Sequence, residues 1–305
     1  MSVTEVFTDI LDKTRSIRKG VPYLNPHLLF IGAASLPNLT YRLTFPYSKY
    51  RLSSDTNDVV SVIVPSYSYA DYITCALESV ISQTYPNIEL VVVDDHSQDG
   101  SWEKISSFQK MYQSKFKIKI KGKDTNTGVV DTLNTALSMC EGRYILYLCA
   151  DDYLHPEYVE RTLAVIKQHP DTAVVYTDCI HINKEGKRLY RGFFERYSYK
   201  KLLKHNFIAA TSLYDSRVSI SLKFQDRRIE DGQRYSEDYL FWLELLKQKY
   251  KNGSLYKAIY LPMPLFYYRW HGLNDTGSVP EPGRLDEINE KILELFTPQI
   301  KDYSK

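Results

Sequence analysis

The residues Tyr144-Ile145-Leu146-Tyr147-Leu148-Cys149-Ala150 run apolar and then stop at two adjacent carboxylates, Asp151 and Asp152. A short apolar run bounded by polar residues fits a strand buried on both faces of a parallel sheet. Two charges side by side at the end of such a strand repel each other, and each favours water or an opposite charge. A divalent cation at the carboxyl edge of the sheet, where open α/β sheets take their ligands, meets both demands at once. The plainer reading is that one aspartate caps a helix beginning near Pro156. This run alone leaves both readings open.

The stretches around it repeat the same grammar. Residues 59–64 are a β-branched run ended by Pro65-Ser66-Tyr67, and residues 88–93 are a second buried strand ended by Asp94-Asp95-His96-Ser97. Between them Ile73, Ala76, Leu77, Val80 and Ile81 mark one face of a helix that Asp71 could cap. Trp102, Ile105 and Phe108 mark a second helix, and Phe116, Ile118 and Ile120 alternate with lysines as in an edge strand. Thr125-Asn126-Thr127-Gly128 opens a third helix that runs to Gly142, a C′ glycine. Regular alternation of strand and helix predicts an α/β fold with a mostly parallel central sheet, flanked by helices and joined by right-handed crossovers.

Beyond Asp152 the rhythm loosens. A helix through Val159, Leu163 and Ile166 and a strand over residues 173–177 come first, then a basic, aromatic surface loop with a short helix over residues 184–206. Residues 207–214 read as a strand, 217–235 as a polar loop, and Ser236-Glu237-Asp238 as the start of a helix carrying Tyr239, Trp242, Leu243 and Leu246. Residues 255–261 and 265–270 read as two strands, and Leu285, Ile288, Ile292 and Leu295 mark a last helix. Before all of this, Val3, Phe7, Ile10, Leu11, Thr14 and Ile17 recur at helical spacing. The expected organisation is an N-terminal extension over 1–57 packing on the main domain, a domain over 58–296 divided into 58–180 and 181–296, and a polar tail over 297–305.

Composition narrows the function classes. With 305 residues, 43% hydrophobic, the chain can bury a large core, and a net charge of +2 gives no polyanion-binding signal, so nucleic acid is not expected as a partner. The four cysteines, Cys75, Cys140, Cys149 and Cys179, form no C-x-x-C pair and read as reduced core thiols of a cytoplasmic protein. The longest apolar run, residues 28–36, is too short to span a bilayer, which leaves peripheral contact with a membrane as the most the sequence allows.

The chemistry-bearing residues follow from strand ends. Asp94-Asp95 and Asp151-Asp152 fall at carboxyl ends of strands and can face one crevice, while Glu237-Asp238 open a later helix. Tyr67 leaves the first strand at that same edge and can stack on a planar base, and an aspartate from the neighbouring strand can accept from a base N–H. Neither G-x-x-x-x-G-K-[ST] nor G-x-G-x-x-G occurs, so a diphosphate there needs another neutraliser, and a metal on Asp152 supplies one.

Several segments in order resemble one family. The V-S-V-I-V-P-S-Y start, the S-Q-T-Y-P-N-I-E-L middle and the V-V-V-D-D-H-S-Q-D-G-S end are similar to the inverting glycosyltransferases of family 2. So are the N-T-G…N…G-R-Y-I segment, A-D-D at 150–152 and S-E-D at 236–238. The resemblance implies a Rossmann-like fold of the GT-A type that binds a nucleotide-diphospho-sugar donor, UDP-linked for preference. Carried over by motif, Pro65 and Tyr67 line the base, Asp95 bonds the uracil or thymine imide, and Asp151 reaches ribose or sugar. Asp152 holds Mn²⁺ or Mg²⁺ between the phosphates, Asp238 is the general base, and His271 of Tyr268-Arg269-Trp270-His271 is a second metal ligand or a phosphate contact. His96 stands where Gly or Asn is common, and Leu133 where Arg often precedes the Asn; Lys121 and Lys123 are candidate substitutes for phosphate contact or else solvated strand charges. The implied reaction is a single displacement at the anomeric carbon, onto a hydroxyl of a saccharide or lipid-linked acceptor. A glycoside hydrolase, which also needs two carboxylates but no nucleotide pocket, and a catalytically silent sugar-binding module are the competing readings.

Overall fold

The computed structural model describes residues 50, 52, 57–219, 221–225 and 236–272. The expected helices in the first 57 residues and after residue 284, and most of the 217–235 loop, lie outside the described residues. The first half alternates as expected. Strand β1 (Val60–Ser66) leads into helix α1 (Ile73–Ile81), β2 (Ile88–Asp94) into α2 (Ser101–Tyr112), and β3 (Lys117–Gly122) into α3 (Val129–Met139), which feeds β4 (Tyr144–Tyr147). The chain then forms β5 (Tyr153–Leu154), α4 (Tyr158–Gln168), β6 (Thr172–Asn183), β7 (Arg188–Gly192), α5 (Tyr199–Leu202), β8 (Leu213–Asp215), α6 (Glu237–Leu246) and β9 (Lys257–Trp270).

All nine strands join one sheet in the order β3-β2-β1-β4-β8-β6-β9-β5, with β7 paired to β6. Strands β1 to β4 are parallel, with Val60 opposite both Ile88 and Tyr144. In the second half β6 and β9 are parallel, whereas β8, β7 and β5 pair antiparallel with their neighbours. The period-two geometry of β1 explains why it carries apolar residues on both faces. Val60, Val62 and Val64 point to the core that α1, α2 and α4 cover, while Ile63 points to the core that α3 and α6 cover. Every β1 side chain is buried, and the one polar residue inside the strand, Ser61, is satisfied by donating to buried Glu89 of β2 at 2.6 Å.

Four local expectations need correction. Residues 184–206 contain a strand, β7, as well as the short helix α5; basic residues at Arg188 and Arg191 on an exposed edge hide its pattern. Residues 207–214 form a strand only at their end, in β8. Pro262 and Pro264 suggest a break between two strands, yet β9 is continuous. The register steps from Thr177 opposite Leu261 to Asp178 opposite Pro264, and this irregularity absorbs the prolines. Buried Asp178 fixes the step by accepting from the Tyr260 hydroxyl at 2.6 Å, the Arg191 guanidinium at 2.8 Å and the Phe194 N–H at 3.0 Å. Finally, Tyr72 rather than Asp71 is the α1 N-cap, and no side chain caps that helix.

The four cysteines are unpaired thiols, and only Cys179 is fully buried. Gly142 is required for a different reason from the one its place after a helix suggests. It does not adopt a left-handed φ. It runs against β1, where a Cβ would lie 2.6 Å from Ser61 Oγ, 2.7 Å from Ser61 N and 2.8 Å from Val59 O. Two of those atoms are backbone and cannot swing aside. Gly142→Ala is therefore expected to cost about 1–3 kcal/mol by overpacking. A lowered urea midpoint with unchanged slope shows it, and a wild-type midpoint contradicts the packing account.

Candidate active site

The loops that follow β1 and β2 are held together by short side chains. Asp94 accepts from the Ser97 N–H at 2.9 Å and the Ser97 hydroxyl at 2.6 Å, which fixes the turn beside Asp95. Ser97 Oγ accepts from the Ser68 N–H, and Asp99 accepts from the Ala70 N–H, so the β2 loop carries the β1 loop. Ser68 and His96 both take positive φ, 59° and 67°. Left-handed backbone at residues other than glycine persists where surrounding bonds over-determine it, and it concentrates at functional sites. Pro65 is buried at the end of β1, and Tyr67 stands out from it with 49% of its surface exposed, an open aromatic face at the sheet edge.

Asp95 turns toward helix α3. Its Oδ1 accepts from the Thr127 N–H at 2.9 Å and lies 3.1 Å from Lys123 Nζ, and its Oδ2 accepts from the Gly128 N–H at 2.7 Å. Burial opposes its ionisation, but these N–H donors and the Lys123 ammonium outweigh that and hold the carboxyl below its ordinary range. Among described residues Oδ2 accepts only from Gly128, which leaves it a lone pair for a further donor. Lys123 is neither of the things its sequence suggests. Its side chain is only 8% exposed and is spent on Asp95, Asp131, Thr127 and Thr132. It is an internal cross-link, whereas Lys121 is exposed.

At the end of β4 the two aspartates are buried, Asp152 to 2% exposure. Burial raises both carboxyls, and the Asp151 charge raises Asp152 further. Strand β9 supplies the counterweight. The Arg269 N–H donates to Asp152 Oδ1 at 2.9 Å, and the Arg269 guanidinium donates to the Asp151 carbonyl at 2.8 Å and the Lys184 carbonyl at 3.0 Å. The same guanidinium lies 4.8 Å from the centre of the Tyr72 ring. His271 Nε2 is 3.0 Å from Asp151 Oδ2, and its ring stacks on Tyr72 at 5.1 Å. His271 thus bonds the Asp151 carboxylate directly. The group whose donor atoms all lie within 4.8 Å of one another is Cys149, Asp151 and Asp152.

That group fits a divalent cation. Asp152 Oδ1 accepts from the Arg269 N–H, no described residue donates to Oδ2, and Oδ2 is not sealed from solvent, so it keeps acceptor capacity on the open side of a carboxylate whose charge burial disfavours. Two hard oxygen donors suit Mg²⁺ or Mn²⁺. Cys149 is held as a neutral thiol by burial and by the Asp152 and Asp151 charges.

Asp238 sits in the first turn of α6, buried. Its Oδ1 accepts from the Ser236 hydroxyl and from the Tyr239 N–H at 2.8 Å. Its Oδ2 accepts only from Asn206 Nδ2, at 3.3 Å, among described residues. Asn206 is itself oriented, since its Oδ1 accepts from the Ile208 N–H at 3.1 Å. Burial, and then the Glu237 charge, push the Asp238 carboxyl up to about 7. Tyr147, at the end of β4, feels Cys149, Glu237 and Asp238, and Cys149 feels Asp152, Asp151 and Glu237. Asp238 and the β4 carboxylates therefore share one electrostatic neighbourhood. Tyr69 and Tyr72, which follow β1, meet His271 at the end of β9 and join the β1 loop to the same region. Sequence reasoning missed Arg269 as the partner of both aspartates and Asn206 as the partner of Asp238. The Y-R-x-H pattern pointed near the first, and nothing in the sequence signals the second.

The family model described as Glycosyl transferase family 2 matches residues 61–222. The β-1,3-glucosyltransferase WfaP of Escherichia coli is 30% identical over 211 residues, which cover 67% of this chain and 77% of WfaP; its name gives UDP-Glc as donor and α-D-GlcNAc-diphosphoundecaprenol as acceptor. The chondroitin synthase of Pasteurella multocida is 32% identical over 202 residues, but the match covers only 20% of that protein. The crystal structure of S. aureus TarS 1–349 with UDP-GlcNAc superposes with a TM-score of 0.57 at 24% identity, covering 76% of this chain and 65% of TarS. The mannosyltransferase PcManGT of Pyrobaculum calidifontis, with GDP-Man and Mn²⁺, gives 0.52 at 19% identity, covering 79% of this chain and 67% of PcManGT. Both structures share the GT-A fold seen here.

The Asp95 cluster generates a stability test. Lys123→Met strands Asp95, Asp131 and two threonine hydroxyls without their cation and is expected to cost about 1–3 kcal/mol at pH 7. The Asp95 carboxyl is depressed in the folded state, so its contribution is present above its unfolded value and is lost as pH falls through the folded one. The gap between variant and parent, from urea unfolding, should close below about pH 4. A gap that persists there at full size contradicts the assignment.

Proposed function

The chain belongs to glycosyl transferase family 2 and is a glycosyltransferase, and from that premise we propose an inverting, metal-dependent transferase acting on a UDP-linked sugar. The acceptor hydroxyl belongs to a saccharide, carried for preference on a lipid. The observation that carries this reading is the state of Asp238. Its carboxyl is pushed to about 7, near the pH at which a general base works best. Three donors fix its orientation, and a lone pair on Oδ2 remains for a substrate proton.

In this reading Tyr67 stacks on the base and Asp95 Oδ2 accepts the uracil imide N–H, with the carboxylate held in place by Gly128 and Thr127. Asp151 bonds ribose or sugar, and His271 and the Arg269 guanidinium keep its loop from moving. Asp152, with Asp151 beside it, would hold Mn²⁺ or Mg²⁺, which when bound neutralises charge on the diphosphate. Asp238 takes the proton of the acceptor hydroxyl, whose oxygen attacks the anomeric carbon from the face opposite the diphosphate. One displacement inverts the anomeric configuration. Glu237, next in sequence, keeps the base from ionising too readily.

The donor and acceptor choices take support from relatives whose names give UDP-Glc and a diphosphoundecaprenol-linked GlcNAc. Among the described residues no helix is long and apolar enough to cross a membrane; in this reading a lipid-linked acceptor is met by peripheral contact. We assign 58–296 to the transferase domain, with 58–180 as the donor half and 181–296 as the acceptor half.

Asp238→Asn should keep UDP binding and slow transfer by about 10²–10⁴-fold. Proton NMR of the wild-type product should show the inverted anomer. Unchanged transfer by the variant, or a retained anomer, contradicts the reading. For the wild type, kcat/KM should rise with pH through a limb near pH 7, as Asp238 loses its proton. Asn206→Ala removes a bond that favours the charged carboxylate and so should move that limb upward; a limb that stays put sets Asn206 aside.

A further inference from the structure

Asn134 lies six positions beyond Gly128 on α3, the helix whose first turn holds Asp95. Its side-chain amide grips the backbone of a single distant residue from both sides. Nδ2 donates to the Phe224 carbonyl at 2.9 Å, and Oδ1 accepts from the Phe224 N–H at 2.9 Å. This is the bonding a paired strand residue would give, made here by one side chain. Because one end of the amide must donate and the other accept, the amide can sit only one way round.

The grip places one ring. Phe224 is buried, outside any helix or strand. Its ring stacks on Phe241 at 4.3 Å and 15° and meets Tyr147 edge-on at 6.2 Å. Phe241 is three positions after Asp238 on α6, so the two side chains share a helix face. Tyr147 ends β4, and its hydroxyl resists ionisation partly because of the Asp238 charge. Phe224 therefore packs on the helix face that carries Asp238 and on Tyr147, whose hydroxyl feels the Asp238 charge. The charged or titratable groups that act on Asp238 are Glu237 from α6 and Tyr147 from β4, and the polar donors to it are Ser236, the Tyr239 N–H and Asn206.

We propose that Asn134 is a positioning residue for sugar transfer: it holds Phe224 between Tyr147 and Phe241, which keeps water from Asp238 and fixes the helix that carries it. The inference rests on the reading of Asp238 as the base. It adds a link between the two halves of the molecule, since α3 holds Asp95 through Gly128 and Phe224 through Asn134. With the clip gone, Phe224 is no longer tied to α3, and water reaches the carboxylate. Hydration favours the charged form, so the base titrates lower and is both weaker and less well placed.

The test uses the full chain with Asn134→Ala, and Phe224→Leu as a second route to the same contact. Both should lower kcat by roughly ten- to a hundredfold while the UDP Kd stays within about twofold. In both, the acid limb of the pH–kcat profile should move down by about one unit. A limb that stays at the parent position in both variants overturns the proposal, as does a loss of UDP affinity matching the loss of kcat. Asp238→Asn separates the two claims. If it transfers normally, the base reading fails; if it is inactive while the limb of the two clip variants does not move, the positioning claim fails alone.

Discussion

Two carboxylates buried side by side at the end of a four-residue strand are the constraint around which this molecule is arranged. Burial and mutual repulsion both disfavour their charge. The protein answers with one arginine from the far end of the chain, whose N–H reaches Asp152 and whose guanidinium reaches the Asp151 carbonyl. That contact requires β9 to run beside β6 as far as Trp270, and so requires the register step that absorbs two prolines. The second half of the sheet is in this sense a support for a pair of acids contributed by the first half. The repulsion left over, with acceptor capacity at Asp152 Oδ2, is what a bound cation would relieve.

The acids at the site are tuned apart by their surroundings. Asp95 has two backbone N–H donors and a buried lysine and is held ionised. Asp238 has weaker partners and a like charge beside it and is held near neutrality. A carboxylate that stays charged suits recognition of a donor N–H, and one that titrates near pH 7 suits proton transfer. The two sit at opposite ends of α3's reach, the first at its N-terminus and the second across the Asn134 clip.

What the sequence revealed and what it hid follow from contact range. The β1, β2 and β4 strands were legible because burial on both faces leaves mostly apolar runs, interrupted only by Ser61 and Glu89, which bond each other, and the carboxylates were legible because they end those runs. Asp238 stood out only through the resemblance of S-E-D to a family pattern, since an acid in a first helical turn is otherwise unremarked. The partners of these acids were not legible. Arg269 meets Asp151 and Asp152 across more than a hundred residues, and Asn206 and Asn134 act through amide orientation that no spacing encodes. Lys123 was misread because alternation with apolar residues suggested a solvated strand face, when its stem folds back under Asp95. β7 escaped notice because edge strands carry the same basic residues as surface loops.

The central claim is that the paired aspartates hold a cation that in turn holds the diphosphate, and calorimetric titration of UDP with and without Mn²⁺ tests it most directly. The account predicts that Mn²⁺ tightens UDP binding to the wild-type chain and leaves the weak binding of Asp152→Asn unchanged. Equal UDP affinity with and without Mn²⁺ in the wild type, or an undiminished Mn²⁺ effect in the variant, would contradict it.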